Sequence, residues 1–237
     1  MLMVMSMLFS MLPVQALAEE AGVQLQTYRP NPQARQERSQ KRDMLKMHEL
    51  AAGHFHANLK ASHAKVCRDY IEERGITPEL QEKFGLGWSM DSWQDLGDSL
   101  RRAGFDLNAA VECGLQSKSG SGRTFDRFRN RLMFPIIDVR GNVVGFGGRV
   151  LDDSKPKYLN SSDTPAFKKS KSLFALNYAK GFCAEQLILC EGYMDVIALH
   201  QAGITNAIAT LGTSFTEEHG KILKRYFDDT VTSPADY

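Results

Sequence analysis

The chain is poor in cysteine, and no two cysteines have the spacing that a zinc site needs. Its 237 residues include four cysteines, none in a C-x-x-C pair and none with a histidine at a matching interval. A zinc site in this chain is therefore not expected, and neither is a disulfide framework. Cys190 lies in a predicted core strand and is interpreted as a small buried hydrophobe. This cysteine usage fits a reducing, cytoplasmic environment best.

Basic residues are absent from the N-terminus, where the first is Arg29. The apolar segment Met1–Ala18 ends in a sequence typical of a signal-peptidase site, but a signal peptide begins with a positively charged region. Pro13 also interrupts this segment, which is short for a membrane span, and no membrane partner is expected. The alternative is an amphipathic helix, Leu12–Ala21, that belongs to a domain whose beginning is missing.

An internal repeat and a P-loop pattern, G-x-x-x-x-G-K-[ST], are both absent, which argues against a P-loop helicase on this chain. The composition, 43% hydrophobic and 24% charged, is that of one large or two modest globular domains. Charge is segregated along the chain. Residues Lys118–Lys171 contain 12 basic and five acidic residues, so this segment has a net charge of +7. The whole chain has a net charge of +1, so the remaining residues together have a net charge of −6. Such segregation indicates either a surface that binds a polyanion or a solvated face.

The first half of the chain has helical patterns separated by turn residues. Residues 27–43 are polar and contain Pro30 and Pro32, which predicts a linker. Residues 117–122 are predicted to form a flexible Ser/Gly loop. Apolar spacing and capping residues predict helices over 42–59, over 64–73 before Gly75, from Pro78 after the N-cap Thr77, from the N-cap Asp91 to 102, and from the N-cap Asp106 to 112.

The second half begins with a predicted β-hairpin, formed by residues 131–138 and 142–150. Gly145, Gly147 and Gly148 lie inside its second strand, where glycine usually marks a bulge or the close approach of a ligand or backbone. After a short helix over 173–179, the pattern becomes strand 187–190, helix 194–201, strand 207–210 and helix 216–225. This alternation predicts a parallel sheet, so the fold class is α/β, with an α+β basic part first.

Arginines and phenylalanines alternate in the segment Phe125–Pro135. Arginine binds phosphate through two hydrogen bonds, and aromatic rings stack on exposed bases. Arg127, Arg129 and Arg131 would line one face if the strand began this early. The alternative is an amphipathic strand with a polar outer face. Further cations follow near exposed backbone or on loops, namely Arg149, Lys155, Lys157, Lys168 and Lys169.

Glu191 directly follows the strand 187–190, at the strand end where open α/β sheets bind ligands. A carboxylate there suits Mg²⁺, which takes one or two carboxylates together with water and phosphates. Alternatively, Glu191 caps the next helix. Asp195 either supports Glu191 or lies on the first helical turn. His200 and His219 are interpreted as ordinary surface or packing residues.

Four ordered motifs together resemble the catalytic core of bacterial DNA primase, over about residues 44–227. They are Asp126–Ile136 (DRFRNRLMFPI), Gly145–Arg149 (GFGGR), Lys157–Ser161 (KYLNS) and Glu191–Val196 (EGYMDV), and Ala207–Thr213 (AIATLGT) continues the match. The resemblance implies a basic subdomain at 44–171 and a Rossmann-like Toprim domain at 172–237, incomplete at its C-terminal end. It also implies DNA-dependent synthesis of short RNA primers on single-stranded DNA from rNTPs, with Mg²⁺ or Mn²⁺.

The resemblance also assigns roles to individual residues. Glu191, as the metal ligand, and Asp195 are implied as catalytic. Nucleotide or nucleic-acid binding is implied for Arg127, Arg129, Arg149, Lys157, Asn160 and Lys169.

Several parts of the family pattern are missing here. The family's zinc-binding domain is absent, and residues 1–26 resemble its last helix, so zinc is expected only in that domain. The C-terminal domain that contacts the replicative helicase is absent as well. The expected paired acids D-x-D of a third strand are missing. Asp228 and Asp229 precede that position and are interpreted as a turn, and Asp236 lies near it. The alternative function is therefore a non-catalytic fragment that binds single-stranded nucleic acid or nucleotide.

Overall fold

A computed structural model describes residues 31–181 and 186–226. The predicted helix 12–21 and the acids Asp228, Asp229 and Asp236 lie outside these described residues. The chain divides into two compact units, residues 1–38 and 39–237. Of the first unit, the structure describes residues 31–38, which form the start of a helix. Among the described residues, the structure has no helix that is both long and apolar enough to span a bilayer.

The first helix of the described residues, α1 (Pro32–Lys60), begins ten residues before the helix predicted over 42–59. Residues 32–43 are therefore helical, and the prediction of a linker there was wrong. Pro32 occupies the first helical position, where its missing N–H is not needed. The Asn31 side chain accepts a hydrogen bond from the backbone N–H of Gln33 (3.1 Å). The Gln, Arg and Lys residues that follow favour helix, which outweighs their polar, linker-like composition.

The next helices largely follow their predicted caps. They are α2 (Lys65–Glu73), α3 (Pro78–Lys83), α4 (Asp95–Arg102) and α5 (Leu107–Glu112). Gly75 follows α2 with φ +66°, and the Thr77 and Asp106 side chains cap α3 and α5 as predicted. Asp91 does not cap α4, which starts at Asp95. The carbonyl oxygen of Trp93 accepts the N–H of Asp126 (2.8 Å), and this bond keeps residues before Gln94 out of the helix.

The centre of the chain is a four-stranded antiparallel sheet of order β1-β4-β5-β6. Its strands are β1 (Gly87–Ser89), β4 (Arg131–Ile137), β5 (Val143–Val150) and β6 (Tyr158–Asn160). Strands β4 and β5 form the predicted hairpin, with a bulge between Ile136 and Ile137. A separate hairpin joins β2 (Gln116–Lys118) to β3 (Thr124–Asp126), so part of the predicted Ser/Gly loop is strand.

The C-terminal part contains the predicted parallel pair. It comprises α6 (Leu176–Ala179), β7 (Ile188–Cys190), α7 (Tyr193–Gln201), β8 (Ala207–Ala209) and α8 (Glu217–Leu223). Strands β7 and β8 are parallel, with Leu189 opposite Ile208. Helix α6 starts three residues later than predicted because Phe174 exchanges two backbone hydrogen bonds with Ala209.

Strand β7 is less buried than its apolar sequence predicted. Leu189 is 49% exposed, and Cys190 is only partly buried, so neither is the core residue that the sequence indicated. Strand β8, in contrast, is fully buried. Among the described residues, β8 is the one strand paired with β7, so the other edge of β7 has no strand partner there.

One hydrophobic core joins the antiparallel sheet to the parallel pair. Phe84, Phe134, Phe174 and Tyr193 belong to this core, which also includes residues of α2, α7 and β8. A second core lies between α1, α4, α5 and the opposite face of the sheet. The shared first core fixes the basic part of residues 39–226 against the β7–α7–β8 unit, and the candidate site lies where the two meet.

Candidate nucleotide and nucleic-acid site

A cavity of about 390 Å³ lies between the antiparallel sheet and the parallel unit. One wall comes from β5, β6 and the residue after α2, and the other from the β7–α7 junction and the residues after β8. The lining residues are Arg74, Arg149, Tyr158, Asn160, Glu191, Gly192, Tyr193, Met194, Asp195, Thr210 and Gly212. This cavity therefore brings together residues that were predicted from separate motifs, namely Arg149, Asn160, Glu191 and Asp195.

The acidic wall consists of Glu191, directly after β7, and Asp195, in the first turn of α7. Both are exposed, and within the described part of the chain neither carboxylate accepts a hydrogen bond or forms an ion pair. Glu191 does not cap α7, because the N-cap residue is Gly192 and makes no side-chain cap. The capping interpretation of Glu191 is therefore not supported, and both carboxylates are open to solvent and ligand.

No group of three or more His, Cys, Asp or Glu residues close enough to hold a metal ion occurs within residues 31–181 and 186–226. Glu191 and Asp195 nevertheless supply the one or two carboxylates that Mg²⁺ takes when phosphates and water provide its other ligands. The residues present therefore fit a divalent ion that is held jointly with a nucleotide.

Tyr193 and Asn160 connect the two walls. The Tyr193 hydroxyl donates to Asn160 Oδ1 (2.8 Å), and Asn160 Nδ2 donates to the carbonyl oxygen of Leu211 (2.8 Å), just after β8. Both polar atoms of the Asn160 side chain are thus used inside the protein. Asn160 therefore fixes β6 against α7 and the segment after β8, at the floor of the cavity.

Gly147 is required by the position of Tyr193. A Cβ atom on Gly147 would lie 2.3 Å from Tyr193 Cζ and 2.4 Å from its hydroxyl oxygen. The ring of Tyr193 also stacks on Phe134, with centroids 4.8 Å apart and planes at 11°. The glycines of this strand predicted that a ligand or another part of the chain comes close to it. At Gly147 the approaching group is the Tyr193 side chain of the same protein, and not a ligand.

The basic wall is built around two aromatic rings. The guanidinium of Arg149 lies over the ring of Tyr70 (5.1 Å) and over that of Tyr158 (5.4 Å), and Arg149 Nη1 donates to the Tyr158 hydroxyl (2.8 Å). Arg74 lies over Tyr70 as well (5.1 Å). Burial raises the pKa of the Tyr70 hydroxyl, and the positive charges of Arg149 and Arg74 oppose this rise. These aromatic contacts orient two cations at the cavity.

Arg74 and Tyr70 were not predicted from the sequence. Arg74 directly follows α2, and a cation at the end of a helix is commonplace, so nothing local distinguishes it. Only the packing of α2 against the sheet places it beside Arg149.

A second cavity, of about 380 Å³, contains all three arginines of the alternating segment, Arg127, Arg129 and Arg131. They do not share a strand, because β4 begins only at Arg131. Arg127 Nη2 donates to the carbonyl oxygen of Asn160 (3.3 Å), and burial lowers the pKa of Arg127. Arg131 is buried and donates from Nη1 to the carbonyl oxygens of Gly148 (3.2 Å) and Pro156 (3.0 Å). Arg131 is therefore largely committed to holding the fold.

An exposed aromatic platform adjoins this cavity. The guanidinium of Arg129 lies 4.0 Å from the ring centroid of Trp93 and 5.5 Å from that of Phe125, and Trp93 is 62% exposed. The other two phenylalanines of the segment, Phe128 and Phe134, are buried, so they cannot stack on bases as the sequence suggested. Trp93 was missed because it lies 32 residues before the start of the segment and reaches it only in the folded chain.

The two remaining predicted cations lie on loops. Lys157 is exposed just before β6. Lys169 lies in a single 3₁₀ turn, Lys169–Lys171, and within the described residues its ammonium has no carboxylate within 4.0 Å. The structure therefore leaves both lysines available to an anion, but it does not bring them into the first cavity.

Two family descriptions match consecutive parts of the chain. "DNA primase catalytic core, N-terminal domain" matches residues 54–180, and "Toprim-like" matches residues 188–236. The DNA primase of Clostridium acetobutylicum is 45% identical over 184 residues, 77% of this chain and 30% of that protein. The DNA primase of Deinococcus radiodurans is 40% identical over 215 residues, 90% of this chain and 36% of that protein. The chain thus spans about a third of the length of these relatives.

Solved structures agree with this assignment. The DnaG primase catalytic domain bound to ssDNA is 38% identical with a TM-score of 0.73, over 80% of this chain and 62% of that one. The RNA polymerase domain of Mycobacterium tuberculosis primase DnaG is 36% identical with a TM-score of 0.75, over 80% and 63%. The shared fold is α/β with a Toprim unit. By sequence and by fold, this chain belongs to the DNA primase catalytic-core family.

Proposed function

We propose that the chain carries the core of an enzyme that synthesises short RNA primers on single-stranded DNA from rNTPs, by metal-dependent nucleotidyl transfer. The observation that supports this best is the first cavity. It sets the cations Arg74 and Arg149 on one wall and the carboxylates Glu191 and Asp195 on the other. Phosphoryl transfer needs both, because the phosphates carry charge that cations offset and the metal needs oxygen ligands.

The residues of the first cavity divide into distinct roles in this proposal. Arg74 and Arg149 bind the phosphates of the rNTP, and Asn160 and Tyr193 hold the walls at a fixed separation. Glu191 and Asp195 would hold Mg²⁺ or Mn²⁺ together with those phosphates. The chemistry that such an ion would supply is activation of the primer 3′-hydroxyl and stabilisation of the leaving pyrophosphate.

The single-stranded template is proposed to lie along Arg127 and Arg129 of the second cavity, beside the Trp93 platform, and the loop lysines Lys157 and Lys169 are proposed to bind its backbone. Such a surface combines cations that follow the backbone with an aromatic face on which bases stack. One similar structure is described as bound to ssDNA, which supports single-stranded DNA as the ligand. The RNA primer is proposed to leave along the same basic surface, and the replicative helicase is proposed as a partner of the intact primase.

A second candidate function is binding without catalysis. It is favoured by the two-carboxylate site, since the described part of the chain contains no third acid near Glu191 and Asp195. In this case nucleotide and single-stranded DNA bind to the basic walls, and no primer is made.

The test separates binding from synthesis. Nucleotide affinity is measured by equilibrium dialysis of labelled ATP, with and without Mn²⁺, for the wild type, Arg149→Ala and Glu191→Gln. Arg149→Ala should weaken binding about tenfold or more, since a guanidinium–phosphate contact contributes about 1.5–3 kcal/mol. Glu191→Gln should abolish the increase in nucleotide affinity that Mn²⁺ produces. Matched controls are Arg140→Ala and Glu49→Gln, both at exposed positions outside the cavity.

Primer synthesis is then measured with labelled rNTPs, Mn²⁺ and a single-stranded template. Labelled primers that depend on Glu191 support the enzyme. Metal-dependent nucleotide binding without primers supports the binding module. Nucleotide affinity that is the same in Arg149→Ala as in Arg140→Ala would contradict both.

A further inference from the structure

His219 is completely buried and makes two hydrogen bonds, in contrast to the ordinary packing or surface role that its sequence position suggested. It is the third residue of α8. Its Nδ1 accepts from the backbone N–H of Thr216 (3.1 Å), and its own backbone N–H donates to Thr216 Oγ1 (3.1 Å). These reciprocal bonds form a capping box, with histidine where glutamate or glutamine is usual.

The other ring nitrogen of His219 reaches a different part of the chain. Nε2 lies 2.9 Å from the carbonyl oxygen of Lys169, and the Thr216 hydroxyl donates to the carbonyl oxygen of Ser170 (2.9 Å). Because a backbone N–H only donates and a carbonyl only accepts, Nδ1 is unprotonated and Nε2 carries the hydrogen. The start of α8 therefore clamps two consecutive carbonyl groups of the turn Lys169–Lys171, which precedes it by about 45 residues.

Among the described residues, the clamped turn presents one ammonium group without a carboxylate partner, that of Lys169. Lys168 lies 3.7 Å from Asp163, and Lys171 lies 3.4 Å from Glu218. Lys169 has no carboxylate within 4.0 Å among residues 31–181 and 186–226, although its backbone N–H donates to the Asp163 side chain (3.0 Å). The Lys169 backbone is thus held at both its N–H and its carbonyl, while its ammonium stays free for an anion.

We infer that His219 is a positioning residue: with Thr216 it fixes the Lys169 turn so that the Lys169 ammonium meets a backbone phosphate of the single-stranded template. The inference rests on the proposed function for its ligand. It assigns to α8 a role in template binding at a distance from the metal site. Preorganisation is the physical reason, since a lysine on a fixed turn loses less conformational entropy on binding than one on a mobile loop.

The test measures the affinity of the folded protein for an oligo-dT strand at several salt concentrations. Lys169→Ala should weaken binding roughly fivefold at about 0.1 M salt and reduce the log–log salt slope by about 0.7, the value for one lost phosphate contact on a single strand. His219→Ala should weaken binding in the same direction. The double variant should bind no more weakly than Lys169→Ala alone, because both changes remove the same contact.

Two further variants separate positioning from simple loss of stability. His219→Gln should restore near wild-type affinity, since glutamine can accept from the Thr216 N–H and donate to the Lys169 carbonyl. Leu223→Ala destabilises the same helix without touching the turn and should leave the affinity of the folded protein unchanged. Should His219→Ala fail to fold, Thr216→Val removes the bond to the Ser170 carbonyl and should weaken binding as well.

The outcomes distinguish the inference from the proposed function. If Lys169→Ala weakens binding while His219→Ala, or its replacement Thr216→Val, does not, the inference is overturned and the proposed function stands. The same holds if the effects of His219→Ala and Lys169→Ala simply add. If Lys169→Ala binds as the wild type does, Lys169 does not contact the template and the inference is overturned. The proposed function is then still decided separately, by the effect of Arg149→Ala on nucleotide binding.

Discussion

The hydroxyl of Tyr193 donates a hydrogen bond of 2.8 Å to Asn160 Oδ1, across the junction between the antiparallel sheet and the parallel unit. Tyr193 begins α7, two residues after Glu191, and Asn160 ends β6. The bond therefore sets the position of the acidic strand end relative to the basic strands. Residues that the sequence places 33 positions apart define a single floor of the cavity.

Tyr193→Phe removes this bond and leaves Asn160 Oδ1 without a donor. The free energy of unfolding should fall by about 1–2 kcal/mol, the cost of one lost hydrogen bond with a partner left unsatisfied. Urea unfolding measures the change. The matched control is Tyr226→Phe, because within the described residues no hydrogen bond of its hydroxyl occurs. Equal stability of Tyr193→Phe and the control would argue against the connecting role.

Gly147→Ala places a methyl group where the Tyr193 ring lies, at 2.3 Å from Cζ. Overpacking of this kind should lower the free energy of unfolding by about 1–3 kcal/mol. Gly53→Ala is the control, since it lies inside α1 with nothing within 4 Å of the added carbon and should stabilise the chain by about 0.5–1 kcal/mol. Thermal unfolding of the two variants should therefore shift in opposite directions.

Stability should depend on pH through His48. Burial lowers the pKa of His48 from its usual 6.5 to about 4, while Nδ1–H donates to the Met44 carbonyl (2.8 Å). Between these values the unfolded chain takes up a proton that the folded chain does not. The neutral His48 side chain therefore contributes about 3 kcal/mol to the free energy of unfolding above about pH 6.5. This contribution is lost as the pH falls towards 4. His48→Leu should remove this slope from the free energy of unfolding measured between pH 6.5 and 5, and an unchanged slope would contradict it.

Trp93 should report on the single strand directly. The chain has two tryptophans, and Trp88 is buried whereas Trp93 is 62% exposed. Oligo-dT should quench the wild-type emission, and Trp93→Phe should lose most of this quenching. Trp93→Ala should weaken binding by about 1–3 kcal/mol, the usual contribution of one base–aromatic stack. Ile204→Ala, at an exposed apolar residue outside both cavities, should bind like the wild type.

Local chemistry explains which elements the sequence predicted well. Thr77, Asp106 and Thr216 cap helices as expected, because a capping side chain bonds to backbone within three residues. The hairpin of β4 and β5 follows from β-rich segments on either side of a short turn. The parallel β7–α7–β8 unit follows from alternation along the chain.

Predictions failed where distant backbone decided the outcome. Asp91 does not cap a helix, because the Trp93 carbonyl bonds to Asp126. Phe174 is not helical, because it pairs with Ala209. The polar composition of residues 32–43 indicated a linker, but their helix propensity and the cap at Asn31 produced a helix.

The sequence by itself determined the family, the α/β class and the identity of the charged residues that can serve phosphate chemistry, since motif order and residue type are properties of the chain. Tertiary structure decided which of those residues meet. It brought Arg74 and Arg149 opposite Glu191 and Asp195, buried Arg131 against the carbonyl groups of Gly148 and Pro156, and turned His219 from an ordinary helix residue into a clamp on Lys169. The reason is that a cavity is made of contacts between elements, and the energies of such contacts depend on packing that no local pattern encodes.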